Sequence, residues 1–145
     1  MSIGVDSITT VSVKSCPDYL SHLRLIMSCV ADSVGMDQQE ADEARLAVTE
    51  ACVNAIKHGS PRGSDDVVMI TLKTSEGTIT VDVTDNGCLD EDQVEKSRGL
   101  GVGLMKKLAD SVQFVKHKTG LTVRLTKRAK NADRVVASPS QMSRN

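Results

Sequence analysis

Residues 43–59, EARLAVTEACVNAIKHG, constrain the fold of this chain more than any other stretch. Helical spacing places Ala44, Val48, Ala51, Cys52, Ala55 and Ile56 on one apolar face. Glu50 and Asn54, one turn apart, share a different face that projects away from the core side. A carboxylate can take a proton from an attacking hydroxyl, and an amide oxygen can hold a hard cation such as Mg²⁺. Polar residues on a solvated helix face are also the ordinary case. The pair gains meaning from two later segments, VTDNG at residues 83–87 and RGLGVGL at residues 98–104.

The surrounding pattern predicts a short mixed domain. Residues 7–14 alternate and are β-branched, which predicts a first strand. Pro17 suits the first turn of a helix that carries Leu20, Leu23, Ile26, Met27, Val30 and Val34 and ends at Gly35. Asp37 and Glu40 form a possible capping box for the helix that runs to about Lys57. Strands are expected at 67–74 and 78–84, joined at Glu76–Gly77, then a helix opening at the glycines, then two strands turning at Thr119–Gly120. The order β-α-α-β-β-loop-α-β-β predicts an α/β two-layer sandwich, a mostly antiparallel sheet covered on one face by helices. The domain is expected to span residues 1–127, and residues 128–145, with little apolar periodicity, are expected to be a disordered tail.

Composition removes several functions. The chain has 145 residues, enough for one core, but one Tyr, one Phe and no Trp, so aromatic platforms for single-stranded nucleic acid are disfavoured. Net charge is −1, with no basic stripe to meet a phosphate backbone, so no direct nucleic-acid partner is expected. No apolar run approaches the ~20 residues that cross a bilayer, and the N-terminus lacks the parts of a signal peptide. A cytoplasmic protein is expected. Cys16, Cys29, Cys52 and Cys88 lack zinc-ligand spacing and read as free thiols.

The glycines come as G-x-G-x-G. Gly99, Gly101 and Gly103 leave backbone N–H groups bare where a helix begins, a setting that favours phosphate, although a glycine-rich entry can also serve close packing. No GK[ST] follows, and Leu104 takes the last glycine position of a Rossmann fingerprint. Asp85 follows a strand and could accept the exocyclic amine of adenine, with Gly87 letting a flat base approach; Asp-Asn-Gly is equally plain turn chemistry. Arg98 could meet a terminal phosphate or stand as a solvated loop charge. His22 and His58 read as surface helix residues, His58 near a helix C-terminus.

The string EACVNAIKHG, followed by DNG and GLGVGL, resembles the GHKL ATPase superfamily, the fold of histidine-kinase ATP domains, gyrase and MutL. Within it the chain resembles the RsbW-like anti-sigma-factor serine kinases over about residues 10–127. The resemblance implies Asn54 as the residue that holds Mg²⁺ against the phosphates of ATP, and Glu50 as general base. It implies Asp85 as the reader of adenine and Thr122 as a threonine beside the base, though a strand residue with β propensity is an equal reading of Thr122. Leu89 departs from the family's second glycine, and the lid between Asp85 and Gly99 is short. The implied partners are a sigma factor and a STAS-domain anti-sigma antagonist phosphorylated on Ser or Thr, with the kinase a homodimer. The alternative is a nucleotide-binding interaction module of the same fold without kinase activity.

Overall fold

The computed structural model describes residues 7–87 and 100–131. In chain order these form β1 (Ser7–Lys14), a 3₁₀ turn (Pro17–Tyr19), α1 (Leu20–Ser33), α2 (Gln38–His58), a second 3₁₀ turn (Gly63–Asp65), β2 (Val67–Ser75), β3 (Thr78–Asp85), α3 (Leu100–Leu108), β4 (Ser111–Lys116) and β5 (Leu121–Arg128). The strands make one five-stranded sheet in the order β1-β2-β3-β5-β4. Every neighbouring pair is antiparallel. The expected two-layer α/β sandwich is the observed architecture.

Strict alternation builds the helix-facing side of the sheet. Val68, Ile70 and Leu72 of β2, Ile79, Val81 and Val83 of β3, and Leu121, Val123 and Leu125 of β5 are all buried. Above them, α2 buries Ala44, Ala47, Val48, Ala51, Cys52 and Ala55. These small side chains let the helix lie close to the sheet, while α1 and α3 pack on its flanks. Met27 and Met105 fill the remaining space where aromatic rings are missing. On the opposite sheet face, Arg124 donates to both Asp82 oxygens at 2.8 and 3.0 Å, and Ile8, Val67 and Met69 are exposed.

Two local devices fix the ends. The Asp37 carboxylate accepts from Glu40 N–H at 2.8 Å, and Glu40 Oε1 accepts from Asp37 N–H at 3.1 Å, which completes the capping box of α2. Glu40 is buried, and its second oxygen accepts from the backbone N–H of Lys130 at 2.6 Å. The β2–β3 hairpin turns through Glu76 and Gly77 with φ of 47° and 77°, the left-handed pair of a tight type I′ connection.

Among the described residues, no helix is long and apolar enough to cross a membrane. The segment at 88–99, which includes Leu89, Arg98 and Gly99, and the tail from 132 onward lie outside the described residues.

Candidate functional site

The C-terminal half of α2 carries Glu50, Asn54 and, at its cap, Gly59. Glu50 and Asn54 lie side by side under Gly101, but Asn54 is buried rather than solvated. It is 5% exposed, because the first turn of α3 lies across it. A Cβ at Gly101 would fall 2.9 Å from Asn54 Nδ2, 3.2 Å from Asn54 Oδ1 and 3.3 Å from Glu50 Oε2. The bare Cα of Gly101 therefore leaves a small polar cradle over the two side chains. Asn54 Nδ2 is buried without a hydrogen-bond partner among the described residues. An orphaned buried amide costs on the order of 1–3 kcal/mol, and such groups persist where a ligand completes them. Gly103, in contrast, faces open space.

Asp85 ends β3 and is 3% exposed. Its Oδ1 accepts from Gly87 N–H at 2.7 Å, the closed turn that Asp-x-Gly chemistry favours. Two glycines make room for it. Gly59 lies against its carboxyl group, and a Cβ at Gly120 would fall 1.9 Å from its carbonyl oxygen. In the sequence Gly59 reads as a helix end and Gly120 as a turn residue, but their contact with Asp85 exists only once α2 and the β4–β5 turn have met the end of β3.

The register places Thr122 elsewhere. Thr84 pairs with Thr122, and their hydroxyls meet at 2.7 Å. Thr84 alternates with Val83 and Asp85, so Thr122 stands on the opposite sheet face from the Asp85 carboxyl. There its hydroxyl also contacts His117 Nε2 at 2.7 Å. The structure brings Glu50, Asn54 and Gly101 together, with Asp85 and Gly87 beyond the end of the same helix, but it does not bring Thr122 to them. The cross-strand partner of Asp85 is the fully buried Leu121, which sequence reasoning passed over.

A further residue without a sequence signal is Asp66, whose side chain has no exposed surface. The backbone N–H of Arg62 at 2.7 Å is the largest influence holding its carboxyl below the usual carboxylate range; burial opposes it, and the Arg62 guanidinium and the Asn86 amide add to it.

Residues 13–127 match the histidine kinase-like ATPase domain family. The chain is 32% identical to the serine-protein kinase RsbW of Bacillus subtilis over 133 residues, covering 81% of this chain and 82% of that protein. It is 28% identical over 132 residues to a Staphylococcus aureus protein of the same name, covering 79% and 82% of the two chains. A crystal structure of the RsbU and RsbW domains of a Mycobacterium tuberculosis protein shares the fold, with a TM-score of 0.67 at 17% identity. That match covers 84% of this chain but only 32% of the longer solved chain. The family match over residues 13–127 and the identity to these relatives place the chain: it belongs to the histidine kinase-like ATPase family, as an RsbW-like member.

Proposed function

We propose that this protein is an ATP- and Mg²⁺-dependent protein serine kinase that also acts as an anti-sigma factor in a partner-switching module. One observation carries the reading: Glu50 and the orphaned Asn54 amide share a cradle under Gly101, on the helix whose far end abuts the buried Asp85. The name borne by the relatives, serine-protein kinase, supports phosphotransfer over binding alone.

In this reading, Asp85 accepts the exocyclic amine of adenine and Gly87 leaves room for the base. The glycine-rich entry of α3, Gly101 and Gly103 with Arg98 and Gly99 before them, receives the phosphates. Asn54 offers a hard oxygen of the kind Mg²⁺ accepts. Among the described residues no cluster of three or more His, Cys, Asp or Glu forms a metal cage, so the remaining ligands would come from phosphates and water. When bound, the ion neutralises charge on the phosphates. Glu50 takes the proton of a serine hydroxyl on the protein substrate as that oxygen attacks the terminal phosphoryl group. The bond to the bridging oxygen breaks, and ADP leaves with its electron pair.

The proposed partners are a sigma factor and a STAS-domain antagonist, the latter being the phosphoryl acceptor. A homodimer is part of the same reading.

Calorimetric titration with ATP, with and without Mg²⁺, tests the site. Mg²⁺-dependent binding that disappears in Asn54→Ala supports it, and absence of binding in the parent protein overturns it. Incubation with a STAS-domain protein and ATP then tests the kinase. Binding without phosphoryl transfer would favour a nucleotide-gated interaction module.

A further inference from the structure

Asp66 is remote from the cradle in sequence and has no direct task in the reaction, yet its carboxylate is among the most enclosed groups in the protein. Its Oδ2 accepts from the backbone N–H of Arg62 at 2.7 Å. Its Oδ1 accepts from Arg62 Nε at 2.9 Å and from Asn86 Nδ2 at 3.0 Å. Burying a carboxylate is costly unless donors surround it. The Arg62 side chain is 73% exposed, so an ion pair alone would have left this carboxylate at the surface, where such pairs contribute little.

The position of Asp66 explains its burial. Asn86 follows Asp85 directly, and its backbone N–H donates to Gly59 O at 2.9 Å. The Gly59 carbonyl at the end of α2 and the Asp66 carboxylate just before β2 thus both hold the turn that presents Asp85. The Asp66 backbone is itself anchored, since its carbonyl accepts from Ser15 N–H at 2.9 Å. Ser60 extends the anchor, contacting the Ser15 hydroxyl and donating to Ala55 O at 2.8 Å.

We propose that Asp66 is a positioning residue that, through Asn86, aims Asp85 and thereby sets how strictly the site selects adenine over other purine bases. The proposal rests on Asp85 reading adenine, as argued above. An aimed carboxylate accepts the exocyclic N–H of adenine and repels the carbonyl lone pair that hypoxanthine carries at the same place. A loosened carboxylate loses the first effect and relieves the second.

The test compares ATP with inosine triphosphate by calorimetry in the parent protein, Asn86→Ala, Asp66→Asn and the double variant. Asn86→Ala leaves Asp66 its Arg62 donors, so folding is little disturbed. ATP binding is expected to weaken about tenfold in Asn86→Ala, which removes the charge-assisted hydrogen bond to Asp66. Inosine triphosphate binding is expected to hold or tighten. The double variant is expected to be no weaker for ATP than the weaker single one, because both substitutions break one link. A general structural role would weaken both nucleotides together, and an unchanged preference in Asn86→Ala overturns the proposal. A parent protein that binds ATP but does not prefer it over inosine triphosphate overturns the adenine assignment of Asp85, and the proposal with it.

Discussion

Gly59 lies flat against Asp85: a Cβ added at Gly59 would fall 2.1 Å from the Asp85 carboxyl carbon. Neither side can yield easily, because Gly59 caps α2 and Asp85 is bound into its own turn. Gly59→Ala is therefore expected to cost about 1–3 kcal/mol of stability, as over-packing does, and to displace the carboxylate. Thermal unfolding and ATP titration of this variant check both effects. A normal unfolding midpoint with unchanged ATP affinity would falsify the close-contact account.

Asn54 separates stability from function. Its Nδ2 is already without a partner, so Asn54→Ala removes an unsatisfied group along with some packing. The change in unfolding free energy is expected to stay within about 1 kcal/mol, while Mg²⁺-dependent ATP binding is lost. Denaturant titration beside calorimetry measures the two. A large destabilisation would show that the amide is already satisfied in the free protein.

Glu50 is expected to act in the chemical step alone. Glu50→Ala should bind ATP as the parent does and lower phosphoryl transfer by roughly 10²–10⁴-fold, the usual contribution of a general base. Phosphorylation of a STAS-domain protein, followed over time at saturating ATP, reads this directly. Normal transfer by Glu50→Ala would remove Glu50 from the mechanism.

Asp66 carries a pH dependence whose sign follows from its hydrogen bonds. The folded protein holds its carboxyl below the usual range, chiefly through the Arg62 backbone N–H. Its contribution to stability is then fully present above the unfolded carboxyl's titration range and is lost as pH falls through the depressed folded value. Acid unfolding followed by circular dichroism should show a shallower loss of stability in Asp66→Asn than in the parent. Equal slopes in the two proteins would contradict this linkage.

Cys52 is the opposite case, a thiol that burial alone pushes up to about 12. In the native protein, iodoacetamide at mildly alkaline pH should label the exposed Cys29 and leave Cys52 unmodified until denaturant is added. Peptide mass mapping distinguishes the two. Rapid native labelling of Cys52 would mean that α2 opens readily from the sheet.

The sequence made the elements legible because each carried its own local signal. Asp37 and Glu40 announced the start of α2, Glu76 and Gly77 the hairpin, and alternating β-branched residues the strands. Glu50 and Asn54 were legible through their spacing, but the burial of Asn54 was not, since α3 covers it from a distant part of the chain. Thr122 and Leu121 show a sharper boundary. One position decides which sheet face a side chain occupies, and only the register with β3 reveals that Leu121 pairs with Asp85. Asp66 was silent, and Gly59 and Gly120 were legible only as a helix end and a turn, because their close approach to Asp85 exists only between segments that meet in the folded protein.

Glu40 ties the two ends of the fold to one carboxylate, with one oxygen on Asp37 and the other on Lys130, ninety positions away. During synthesis, the Asp37 half of this arrangement is available as soon as α2 emerges from the ribosome. The other oxygen must wait for the last strand and the residues after it. A shortened polypeptide that stopped at the end of the family match would lose Arg128 from the end of β5 and leave this buried oxygen without its backbone donor, so the boundary chosen for expression should lie beyond Lys130.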